Sequence, residues 1–217
     1  MIFLGFDPGG AKGFGCCALR PSSIATATVS TIAQAIAWAI TQCGNERPIA
    51  AGIDTLLHWS DGPSGWRHAD NFLKSGYPDA ISSVMSPNSL FGAMAVGGVG
   101  LAIRLRQRWP DLLLTETHPK VLFHALHGSR YSKRDMSLAV DWFMTKSKLS
   151  AIEIGNEHEF DAIISAWAAR EGVLNNWRDL CQPGCPDMIF PAGPVSYFWP
   201  ADEVVIGGMQ VDSGLER

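Results

Sequence analysis

No apolar run in this chain reaches the roughly 20 residues that a membrane-spanning helix needs. The longest, residues 90–103, is interrupted by Gly92, Gly97, Gly98 and Gly100, which suits a helix packed closely against a sheet. The opening residues do not pair a basic start with an apolar stretch and a small-residue cleavage site, so no secretory signal is expected. Charge is sparse at 18%, against 47% hydrophobic residues, which excludes a disordered chain and fits a packed core. Cysteines are few and odd in number: Cys16, Cys17, Cys43, Cys181 and Cys185. Three residues separate Cys181 from Cys185, and no second pair completes a zinc site. Reduced thiols in a cytoplasmic protein are therefore expected.

With 217 residues and neither repeat nor linker, the chain has room for one well-buried domain. The net charge of −4 conceals a basic middle, where residues 104–148 hold nine basic and four acidic side chains. Such a stretch is either a phosphate-facing surface or a solvated helix face. A total charge below zero argues against tight duplex binding, which rests on many phosphate contacts.

Short apolar runs at residues 2–6, 13–19 and 25–30, separated by turn residues, predict three antiparallel strands. Ile32, Ala35, Ile36, Ala39 and Ile40 recur at helical spacing within 31–42. A strand at 48–53 follows, then an irregular insertion at 60–87 rich in Gly, Pro, Ser and Asp, with room for one short helix. A helix at 88–109 stops at Pro110, and a strand at 111–115 leads to helices at 119–126, 133–146 and 157–174. Phe160, Ile163, Ile164, Trp167 and Ala168 are expected to face inward on the last of these. A tail from 181 to 217, with several prolines, is expected to wrap the domain. The fourth and fifth strands each follow a helix and can lie parallel to the first. The expected fold is α/β, a mixed five-stranded sheet with helices on both faces.

Acids punctuate this order. Asp7 closes the first strand, Asp54 the fourth and Glu116 the fifth, and in open α/β sheets the carboxyl ends of parallel strands are where ligands bind. Asp161 lies on the late helix one turn after His158, with small Ala162, Ser165 and Ala166 beside it to allow close approach to the sheet. Clustered carboxylates from separate elements suit a hard divalent cation. Each acid also has a plainer reading: Asp7 a turn former, Asp54 a cap, Glu116 paired with Lys120 or an arginine, Asp161 with Arg170 or a helix neighbour, His158 a surface cap.

Gly5-Phe6-Asp7-Pro8-Gly9-Gly10 resembles the opening strand of RNase-H-like nucleases, the Holliday-junction resolvases in particular. His158-Glu159-Phe160-Asp161-Ala162 is similar to their last helix. Together with Ile53-Asp54, Arg67-His68-Ala69-Asp70, Thr115-Glu116-Thr117-His118-Pro119 and the run from Asp161 to Ala166, the pattern most resembles domain-of-unknown-function family 429, predicted RNase-H-like nucleases. The resemblance spans residues 2–170. It implies an RNase-H-like fold and a Mg2+- or Mn2+-dependent phosphodiester hydrolase acting on a nucleic acid or nucleotide. It further implies Asp7, Asp54, Glu116 and Asp161 as metal ligands, with His158 where relatives carry another acid, either lowering metal affinity or serving as a proton shuttle. Lys12, Arg67 or Lys120 would hold phosphate, although Arg67 equally matches a recurrent Arg–Asp pair with Asp70. Two rival readings share the sheet: an actin-like phosphotransferase, which needs a second domain and phosphate loop, and a binding module without turnover.

Overall fold

In the computed structural model, residues 1–9, 13–60, 62, 64–85, 92–132, 136–149, 152–181 and 188–201 are described. Strands β1 (Phe3–Pro8), β2 (Phe14–Leu19) and β3 (Ile24–Val29) form an antiparallel meander, because their connections are too short to cross over. Helix α1 (Ile32–Cys43) starts at Thr31, whose hydroxyl accepts from the Gln34 amide, and ends at Gly44 with φ +55°. Strand β4 (Ala50–Asp54) then lies parallel to β1. The two-residue β5 (Trp59–Ser60), helix α2 (His68–Gly76) and a 3-10 turn over Pro78–Ser83 make up the insertion, which is more ordered than its composition suggests.

Helix α3 (Gly92–Arg108) crosses back to strand β6 (Leu113–Thr117), parallel to β4. Helices α4 (Pro119–His127), α5 (Ser137–Ser147) and α6 (Glu157–Val173) follow, then β7 (Trp177–Asp179), β8 (Met188–Ile189) and β9 (Phe198–Pro200). The large sheet has the order β3-β2-β1-β4-β6, the mixed five-stranded α/β arrangement expected from the sequence. The two short strand pairs, β5 with β8 and β7 with β9, sit outside it.

Strand alternation sorts the core into two layers. Ile2, Leu4, Phe6, Cys16, Ala18, Ala51, Ile53 and Leu114 pack with residues of α1 and α3, while Phe3, Cys17, Leu19 and Ala50 pack with residues of α4 and α6. Adjacent Cys16 and Cys17 thus fall in opposite layers, as expected. Helix α6 departs from the one-sided amphipathic pattern. Every residue from Glu159 to Ala169 is buried, because one side meets the sheet and the rest is covered by α4, α5 and the β7–β9 pair.

The approach of α6 to the sheet depends on glycine. A Cβ on Gly5 would lie 1.8 Å from the Ala162 carbonyl oxygen, and one on Gly52 would lie 2.0 Å from that of Ser165. Both obstacles are backbone atoms, so relief requires moving the helix. Gly52→Ala is expected to cost about 3 kcal/mol in urea unfolding, the upper end of overpacking penalties. A loss under about 1 kcal/mol would contradict this helix–sheet spacing. The same contact sets how deeply the carboxylate of α6 reaches over the strand ends.

Candidate metal centre

Asp7 and Asp54 approach one another because of register. Phe6 pairs with Ile53, so the next residues, Asp7 and Asp54, share both a level and a face of the sheet. That face is the one toward α6, since Gly5 and Gly52 on the same parity touch the helix backbone. One helical turn from its N-terminus, α6 delivers Asp161 onto them. One ligand oxygen from each of Asp7, Asp54 and Asp161 lies within 4.8 Å of the others. Asp7 and Asp161 are buried, and Asp54 is partly so.

The start of α6 is held firmly. Asn156 caps it by accepting from the Glu159 amide at 3.2 Å. The buried Glu159 carboxylate accepts from Thr26 at 3.0 Å and Thr28 at 2.8 Å on β3, and from the Gly155 amide at 2.9 Å. Farther along, the hydroxyls of Ser165 and Thr117 are 2.8 Å apart, tying the helix to β6.

Three carboxylates this close repel one another when ionised. Burial, then Asp7 and Asp161, push the Asp54 carboxyl well above the ordinary carboxylate range. Burial raises Asp161 to about 6, with Lys120 pulling against it. Cationic and hydrogen-bonding partners surround the group. His158 Nδ1 lies 2.7 Å from Asp7 Oδ2, a bond that raises the imidazole pKa against the effect of burial. Lys120 Nζ donates to Asp161 Oδ2 at 3.0 Å, and the Tyr131 hydroxyl donates to Asp161 Oδ1. Burial disfavours the Lys120 charge, but Asp161 and Asp54 outweigh it and hold the ammonium above its ordinary range. Burial first, then Asp161, raises the Tyr131 phenol, so it stays a donor.

Glu116 does not join the aspartates, contrary to the expectation that four acids meet. It lies inside β6, level with Ile53, so its side chain leaves the sheet on the face opposite Asp54. There Arg67 takes both its oxygens, with NH2 to Oε1 at 2.6 Å and NH1 to Oε2 at 2.7 Å. The Leu57 amide donates to Oε2 at 2.7 Å, and His58 Nδ1 lies 3.3 Å from it. Burial alone would raise this acid, but Arg67 and His58 hold it far below the usual range.

Arg67 likewise is no phosphate ligand in this geometry. It is fully buried, and it also donates through Nε and NH2 to Asp70 at 2.8 and 2.7 Å and through NH1 to the His58 carbonyl at 3.1 Å. All five guanidinium hydrogens have acceptors within the protein. Of the other proposed phosphate-binding residues, Lys120 faces the cluster and Lys12 lies outside the described residues. Tyr131 and His58 escaped the sequence reading. Neither sits in a periodic pattern or beside an acid in sequence, and only the chain's return brings them in.

The donor set is all oxygen, from three carboxylates on three separate elements, which fits Mg2+ or Mn2+ rather than a soft metal. Scans of family models and of curated proteins return no match, so the likeness to family 429 remains one of short motifs. Among solved structures, the chain is similar to that of Thermus thermophilus RuvC, with 16% identity and a TM-score of 0.44 over 81% of this chain and 97% of the other.

Proposed function

We propose that the chain is a divalent-metal-dependent hydrolase of phosphodiesters, a nuclease of RNase-H-like type, with Asp7, Asp54 and Asp161 as the ligands. The observation that carries this reading is the convergence of those three oxygens from β1, β4 and α6 within 4.8 Å. A bound Mg2+ or Mn2+ would supply Lewis acidity toward a phosphoryl oxygen and a lowered pKa for its water. The protein's own groups divide the remaining work. His158, with its side chain 33% exposed and Nδ1 on Asp7, is the group proposed to exchange a proton with substrate or solvent. The Lys120 ammonium offsets negative charge on the Asp161 side. Thr117 and Ser165 keep α6 in place, and the Arg67–Glu116 pair secures the loop that follows Asp54. The substrate proposed is a nucleic acid or nucleotide, because the implied chemistry is that of a phosphodiester.

Metal removal tests this reading. Protein stripped with chelator is expected to lose cleavage of DNA and RNA, both single-stranded and duplex, and to regain it on adding Mn2+ or Mg2+ but not Ca2+ alone. Gel-resolved products over a panel of these substrates are the measurement. Cleavage that survives the chelator would reject the metal-dependent assignment, and Mn2+ binding without any cleavage would favour a binding module.

A further inference from the structure

The two flanks of the aspartate cluster differ in what they offer a cation. On the Asp7 side, Oδ2 accepts from His158. On the other side, each oxygen of the fully buried Asp161 already accepts one bond from a protein donor, Lys120 Nζ at 3.0 Å and the Tyr131 hydroxyl, which leaves fewer lone pairs for cations. Pairs of catalytic ions are typically about 3.5–4 Å apart and share a carboxylate, so a second ion would need oxygens on this flank. An ammonium at hydrogen-bonding distance fills that place. Charge leads to the same result. Three carboxylates, the Lys120 ammonium and one divalent ion sum to zero before any charge on His158 is counted, whereas a second divalent ion would leave at least two uncompensated positive charges in a largely buried cluster. Lys120 stands one residue after Pro119 at the start of α4, its side chain 40% exposed and its ammonium bonded to Asp161.

We infer that the Lys120 ammonium is a resident cation in the position of a second metal ion, so that the cluster takes one divalent ion per chain. This rests on the metal-centre reading above. The test is Mn2+ titration of chelator-stripped full-length protein by calorimetry, with free Mn2+ followed by electron paramagnetic resonance. Wild type is expected to bind one Mn2+, Lys120→Met two, and Lys120→Arg, which keeps the charge, one. Two ions in wild type would overturn the inference and leave the metal centre standing. One ion in a folded Lys120→Met protein would also overturn it. No ion in wild type would instead remove the metal centre, and the inference with it. Circular dichroism checks folding, Lys120→Gln substitutes if the methionine variant does not fold, and should both fail, the wild-type count decides alone.

Discussion

Arg67→Met is expected to cost about 3–5 kcal/mol of folding stability, as breaking one partner of a buried ion network does. The substitution would leave two fully buried carboxylates, Asp70 and Glu116, without their cation. Against a total stability of about 5–15 kcal/mol, a large part of the chain's margin would go. Urea unfolding followed by fluorescence of the tryptophans is the measurement, and a loss below about 1 kcal/mol would contradict the network described. Arg67→Lys should recover little, since an ammonium cannot serve Glu116, Asp70 and the His58 carbonyl together. The pair also gives stability a pH dependence of known sign. Glu116 is held below its unfolded pKa, so its contribution is present above the ordinary carboxylate range. It is lost as pH falls from there toward the folded value.

Asp54→Asn is expected to act in the opposite direction on stability while removing function. Losing a metal ligand should weaken Mn2+ binding and cleavage by more than about a hundredfold, since even the outer partners of ligands are worth 10–100-fold. Without metal, the variant should melt about 2–4 °C higher than wild type, the shift that ~1 kcal/mol produces in a chain of this size. The reason is repulsion, because Asp54 stands against Asp7 and Asp161 with its carboxyl raised well above the usual range. A raised acid destabilises the fold as pH climbs from its unfolded value through its folded one, so wild type without metal should lose stability on this account toward neutral pH. The asparagine variant should lose less. Scanning calorimetry at pH 5 and 7, with and without Mn2+, reads both effects. An apo melting temperature lower than wild type would show that Asp54 is held by attraction rather than crowding. The pattern would be that of a site in which function is kept at a cost in stability.

Where sequence and structure agree, the agreement comes from short-range rules. Short apolar runs bounded by turn residues placed β1 to β4, helical spacing placed α1 and α6, and the small Ala162, Ser165 and Ala166 foretold the close helix–sheet contact. Asp7 and Asp54 each sit at or next to the end of a strand, so parallel pairing alone was enough to bring them together. Glu116 went astray for a definable reason. Leu112, Leu113 and Leu114 are equally apolar and carry no phase, and the strand runs two residues farther than its composition suggested. In a period-2 structure, the pairing partner decides which face a side chain takes, and Ile53 puts Glu116 on the far one.

Local order in the chain was enough to specify the mixed sheet, the inward-facing stripe of α6 and the placing of Asp7 and Asp54 at strand ends. Those follow from hydrophobic period, turn residues and side-chain size, all of which act between near neighbours. Folding in three dimensions supplied the rest: Arg67 buried against Glu116 from 49 residues away, and Lys120 and Tyr131 turned onto Asp161 from 41 and 30. Charged partners choose one another by distance after packing, and no spacing along the chain encodes that choice.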